Sequence, residues 1–150
     1  MLKQGDKIPE FTLKQTDGTT IKSSAWTGQR VVLYFYPKDD TPGCTKQACS
    51  LRDSHAKFRR QRIVVYGISP DDVESHQKFT AKYELPFPLL SDPDHKVAEQ
   101  FGVWVEKNMY GKKSMGIART SFIIGEDGKI EDVIAKVDTE SHAEQLLEVL

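Results

Sequence analysis

The sequence predicts an α/β fold of three layers, with a mixed central sheet between helices. Val31-Val32-Leu33-Tyr34-Phe35-Tyr36 and Ile63-Val64-Val65-Tyr66-Gly67-Ile68 are apolar runs without alternation, rich in β-branched and aromatic residues. Strands covered on both faces have that composition. Between the two runs, from about Pro42 to Arg62, Ala48, Leu51, His55 and Phe58 fall at helical spacing. An antiparallel hairpin near the end of the chain makes the sheet mixed rather than purely parallel.

Taken in order, Phe11–Lys14 and Thr20–Lys22 alternate around Thr16-Asp17-Gly18-Thr19, and the Asp-Gly pair marks an N-terminal β-hairpin. The strand–helix–strand unit follows. Ser69-Pro70-Asp71-Asp72 then opens another helix, with Ser69 as N-cap, Pro70 at the first helical position and acids in the first turn. Asp94 to Phe101 forms a short helix ended by Gly102. Glu106 to Ala118, which holds Lys107, Gly111, Lys112 and Lys113, is expected to be a mobile loop. Thr120–Ile124 and Lys129–Ile134 flank Gly125-Glu126-Asp127-Gly128 as a second hairpin. Glu140 to Leu150 closes the chain as an amphipathic helix through Ala143, Leu146, Leu147 and Leu150. A thioredoxin-like domain shows this order, although periodicity alone also allows other three-layer α/β folds.

The chain's 150 residues suit a single domain, 1–150, able to bury a core without disulfides or metal. Hydrophobic residues at 38% and charged residues at 29% exclude both a disordered tail and a membrane protein. The net charge of −1 gives no global field to hold nucleic acid or an anionic membrane. Met1-Leu2-Lys3-Gln4-Gly5-Asp6 has no apolar h-region, so a reducing cytoplasmic setting is expected. His55, His76, His95 and His142 lack metal-ligand spacing, and no Gly-x-Gly-x-x-Gly or Walker sequence implies a nucleotide, so no metal or cofactor is expected. Trp26 and Trp104 are taken as core or pocket-wall residues.

Cys44 and Cys49 are the whole thiol inventory. In a cytosolic protein such a pair is redox-active, metal-binding or inert. Pro37-Lys38-Asp39-Asp40-Thr41-Pro42-Gly43-Cys44-Thr45 lies where a buried strand ends and a helix begins, the edge of an open sheet where reactive groups collect. With Thr41 as N-cap and Pro42 at the first helical position, Cys44 falls in the first turn, where free N–H groups and the positive dipole end favour a thiolate. Asp39 and Asp40 oppose it, so a cation from elsewhere would help. Cys49 lies five residues on, and an intact helix separates their Cα atoms by ~8.6 Å against a disulfide limit of ~7 Å. Either the pair never bonds, or the first turns unwind when it does. Cys49 alone could equally be a small packed thiol.

Phe35-Tyr36-Pro37-Lys38-Asp39-Asp40-Thr41-Pro42-Gly43-Cys44-Thr45 resembles the active-site loop of the peroxiredoxins, and Cys49 resembles the second cysteine of the peroxiredoxin Q, or bacterioferritin comigratory protein, subgroup. Ser91-Asp92-Pro93-Asp94-His95, Gly102-Val103-Trp104, Tyr110-Gly111-Lys112-Lys113 and Gly116–Phe122 are similar to later segments of that family. The likeness runs from about Gly5 to the C-terminus. It implies that Cys44 is the peroxidatic nucleophile, that Thr41 holds the peroxide, that Pro37 and Pro42 wall the pocket, and that Arg119 supplies the missing cation. Without the resemblance, Arg119 is only a charge at a strand start.

The chemistry implied is reduction of hydrogen peroxide and small organic hydroperoxides through a Cys44 sulfenic acid. Cys49 would condense with it to an intramolecular disulfide, and thioredoxin would recycle that. A resolving cysteine in the same chain removes the need for a dimer, and a monomer is expected. The alternative is a thioredoxin-like redox sensor or chaperone using the same disulfide. Turnover separates the two, since a sensor stops after one equivalent of peroxide.

Overall fold

The structure, a computed structural model, describes residues 1–150. Its strands are β1 (Thr12–Gln15), β2 (Thr20–Lys22), β3 (Arg30–Phe35), β4 (Ile63–Ser69), β5 (Leu89–Ser91), β6 (Trp104–Met109), β7 (Lys112–Ile117), β8 (Thr120–Ile124) and β9 (Ile130–Ile134). Its helices are α1 (Pro42–Asp53), α2 (His55–Arg60), α3 (Val73–Tyr83), α4 (Lys96–Phe101) and α5 (His142–Val149), with one 3₁₀ turn at Ser23–Trp26. Seven strands form one sheet in the order β2-β1-β5-β4-β3-β8-β9. β3 pairs parallel with β4, and β4 with β5, while every other contact in the sheet is antiparallel. The sheet is mixed, as the two apolar runs and the closing hairpin require.

β3 explains why the core has two halves. Val31, Leu33 and Phe35 point to one face and pack with Phe101, Phe122 and Trp26. Val32 and Tyr34, with Tyr36 just beyond the strand, point to the other and pack with Ala48, Leu51, Phe58, Phe79 and Leu146. Each half holds 16 buried residues, so the strand is covered equally on both sides and needs no polar face. No helix is long and apolar enough to cross a membrane.

Several expected boundaries move. The helix foreseen over Pro42–Arg62 is broken at Ser54, whose φ of −108° and ψ of 9° leave the helical region. Asp53, Ser54 and His55 are consecutive weak helix formers, and the break lets α2 turn so that Phe58 is fully buried. Ser69 does not cap α3. It ends β4, paired with Ser91, and its hydroxyl donates to Asp71 Oδ2 at 2.6 Å. Asp72 takes the cap instead, its carboxylate accepting the Ser75 N–H at 2.8 Å.

α4 starts two residues later than expected and stops at Gly102, which has φ of 76° as anticipated. Asp92 caps it from upstream, accepting the N–H groups of Val97 at 3.2 Å and Ala98 at 3.0 Å. The expected mobile loop over Glu106–Ala118 is wrong: β6 and β7 pair as an antiparallel ribbon. Tyr110 and Gly111 turn it with φ of 53° and 79°, the left-handed pair that a two-residue hairpin turn needs. Most of this ribbon is solvent-facing, so no apolar alternation announces it.

Candidate active site

The sheet register brings the site together. β3 runs antiparallel to β8 with Phe35 opposite Thr120, so Arg119 arrives at the end of β3, where the Pro37–Thr41 loop begins. Thr41 is extended, with φ of −92° and ψ of 156°, and Pro42 opens α1 at its first position. Cys44 therefore sits in the first turn as expected, 2% exposed. Arg119 Nη2 donates to Cys44 Sγ at 3.3 Å. A charge-assisted hydrogen bond of this kind is worth about 1.5–3 kcal/mol, against about 0.3–1 kcal/mol for the helix terminus. Arg119 is the larger influence on the sulfur.

Gly43 leaves room for the guanidinium, because a Cβ there would stand 3.2 Å from Arg119 Nη2 and crowd it. The Thr41 hydroxyl does not cap the helix. It donates to the Lys38 carbonyl at 2.9 Å, which leaves its oxygen able to accept from a ligand. Pro37 is half-buried and Pro42 exposed, one on each side of the loop. The structure thus brings Thr41, Cys44 and Arg119 to one end of the sheet.

Asp39 and Asp40, which threatened to oppose a thiolate, are both engaged by other groups. Asp40 accepts from Lys82 Nζ at 2.7 Å and from the Tyr83 hydroxyl at 2.8 Å, and these two bonds hold its carboxyl below the ordinary range. Asp39 pairs with His76 at 2.7 Å. Neither acid is left as a free charge beside Cys44.

Gln47 was not singled out from the sequence. Fully buried, it accepts from Arg119 Nη1 at 2.6 Å, so both arms of the guanidinium are occupied, one by Cys44 and one by Gln47. Its position three residues after Cys44 is the available signal, since that spacing shares a helix face. Tyr34 lies in the same half of the core, its hydroxyl buried without a partner. Burial first, then the charges of Asp39 and Cys44, push that phenol well above its ordinary range. Lys107 also feels the site: burial and Arg119 push its ammonium down, and Cys44 pulls the other way.

Cys49 is half-buried on the same unbroken helix, and both thiols are free. α1 packs on α5, with Ala48 and Leu51 in the same core as Ala143 and Leu146. Ser50 Oγ accepts the Ala143 N–H at 3.1 Å, and Lys46 meets Glu140 at 3.1 Å in an exposed ion pair. Asp39, Asp71 and His76 bring three ligand atoms within 4.8 Å of one another, the nearest approach to a metal cluster. Those atoms already hydrogen-bond within the cluster and to Ser69, Ser75 and the Asp39 N–H, which satisfies them without an ion.

The AhpC/TSA family model matches residues 4–133. The putative peroxiredoxin bcp of Coxiella burnetii is 49% identical over 146 residues, covering 97% of each chain. Peroxiredoxin Bcp of Bacillus subtilis is 47% identical over 146 residues, covering 97% of this chain and 93% of its own. Among solved structures, a cysteine-to-serine mutant of Xylella fastidiosa PrxQ superposes with a TM-score of 0.93 at 35% identity, covering 99% of this chain and 94% of that one. Xanthomonas campestris peroxiredoxin Q superposes with a TM-score of 0.88 at 38% identity, covering 92% and 87%. These neighbours bear out the mixed, thioredoxin-like α/β fold. With a match across most of its length and relatives of one kind, the chain belongs to the AhpC/TSA family, in its peroxiredoxin Q subgroup.

Proposed function

We propose that this thiol-dependent peroxidase works through Cys44, with Cys49 as its resolving partner. The observation that carries the reading is the 3.3 Å contact of Arg119 Nη2 with Cys44 Sγ in the first turn of α1. The Cys44 thiolate attacks one oxygen of a hydroperoxide, an S–O bond forms, and the O–O bond breaks. The leaving oxygen departs as hydroxide or alkoxide and takes a proton to become water or alcohol. Arg119 and the Cys44 backbone N–H donate to the developing charge, and Thr41 orients the substrate through its hydroxyl. Pro37 and Pro42 keep water off the reacting sulfur.

The Cys44 sulfenic acid and the Cys49 thiol then condense to a disulfide and release water. A dithiol reductant, of which thioredoxin is the expected one, returns both thiols. We place this cycle in a reducing cytoplasm and in a monomer, because both cysteines belong to one helix. Hydrogen peroxide and organic hydroperoxides are the substrates; a Xanthomonas campestris relative is described by its alkyl peroxide reduction activity, which supports the organic class.

The test is NADPH loss with thioredoxin, thioredoxin reductase and peroxide. Continued turnover in the parent and none in Cys44→Ser supports the proposal. Consumption of a single equivalent would mean a sensor, and appreciable turnover by Cys44→Ser would place the nucleophile elsewhere.

A further inference from the structure

Two consecutive acids precede Thr41, and both are fastened to α3. Asp39 is 8% exposed and His76 has no exposed surface. His76 Nδ1 stands 2.7 Å from Asp39 Oδ2, and Nε2 stands 2.9 Å from the Leu90 carbonyl oxygen. A carbonyl can only accept, so Nε2 carries a hydrogen, and a second one lies between Nδ1 and the carboxylate. The same carboxylate accepts from Ser75 Oγ at 2.8 Å and from the Tyr36 hydroxyl. The Asp39 N–H in turn donates to Asp71 Oδ2 at 2.8 Å. One residue on, Asp40 holds a φ of 57°, a left-handed conformation strained for a residue with a Cβ, while Lys82 and Tyr83 grip its oxygens.

None of these contacts includes Cys44 or Arg119. A buried polar pair is also a poor device for stability alone, because desolvation offsets much of its attraction. What the pair does have is location, two residues before Thr41 and five before Cys44, on the only backbone joining β3 to α1. We infer that Asp39–His76 is a positioning pair that pins the Pro37–Thr41 segment to α3. It keeps Thr41 and the first turn of α1 in register with Arg119 for attack on peroxide. The role rests on the reading of Cys44 as nucleophile and Cys49 as resolver.

His76→Gln separates this role from a merely structural one when the two chemical steps are timed individually. Stopped-flow mixing with hydrogen peroxide gives Cys44 oxidation first and disulfide formation second. Oxidation is expected to slow by about ten- to a hundredfold, the usual effect of a misplaced group, while disulfide formation stays unchanged or quickens. Asp39→Asn, which keeps the side-chain shape, is expected to shift the same step. Unchanged oxidation in both variants overturns the inference. So does an equal loss of both steps, or failure of both variants to fold, since the pair would then hold the fold and not the loop. A parent that never oxidises at Cys44 overturns the peroxidase reading itself, and that is visible before any variant is made.

Discussion

Gln47 accepts the second arm of the Arg119 guanidinium at 2.6 Å, and that arm is what fixes the first arm on Cys44. Gln47 Nε2, however, is buried without a partner. An orphaned buried donor costs about 1–3 kcal/mol, so this residue gives up stability to aim Arg119. Gln47→Met, similar in length and without polar atoms, exchanges that orphan for an unpartnered Arg119 Nη1 and is therefore expected to melt close to the parent. Its rate of Cys44 oxidation should fall several-fold. A lower melting temperature with an unchanged rate would show that Gln47 serves packing alone.

In the proposed mechanism, Arg119→Ala removes a donor from the sulfur and from the developing oxyanion together. Loss of one such donor costs about 10²–10³ in rate. Cys44 oxidation should slow on that scale even at a pH where the thiol is fully ionised, because ionisation does not replace the donor. A parent-like rate under that condition would leave Arg119 a structural role only.

Cys49→Ser should react once with peroxide and stop at a sulfenic acid, visible by intact mass or dimedone trapping. Thioredoxin-supported turnover should fall sharply. Undiminished turnover would mean that the reductant attacks the sulfenic acid directly.

His142 supplies a pH dependence. It is fully buried, with Ser121 Oγ 2.6 Å from Nε2 and Gln145 Oε1 2.9 Å from Nδ1. Burial, followed by Arg119, pushes its pKa below 6.5. The folded state thus favours the neutral ring, and its contribution is complete above the unfolded value. It is lost as pH falls through the lower folded value. Thermal melts from about pH 8 to about pH 5 should show His142→Gln losing less stability on acidification than the parent. Parallel slopes would exclude His142 as the group responsible.

The part of the site that local chemistry dictates was legible in the sequence. Thr41-Pro42 marks a helix start whatever the fold, so Cys44 could be placed in the first turn of α1 from four residues. Arg119 was legible only through resemblance, because its approach depends on the pairing of Phe35 with Thr120 across the sheet. Gln47 was missed for want of that partner. The β6–β7 ribbon escaped notice because exposed strands carry no apolar period, and the Tyr110-Gly111 turn lacks the usual Asn-Gly or Asp-Gly pair. The break at Ser54 was hidden by apolar residues that keep helical spacing across it.

One helical turn must be surrendered for Cys44 and Cys49 to bond, since an intact helix holds their Cα atoms ~8.6 Å apart against a limit of ~7 Å. In the reduced protein both cysteines lie on the unbroken α1, and beyond them Leu51 is fully buried, able to hold the end of the helix while its start opens. Amide hydrogen exchange on the reduced and oxidised forms reads this directly, with the Cys44–Cys49 bond proven by mass spectrometry. Protection from Thr45 to Ser50 should collapse on oxidation while protection around Leu51 survives. Equal protection of Thr45–Ser50 in both forms would mean that the disulfide forms with the helix still wound.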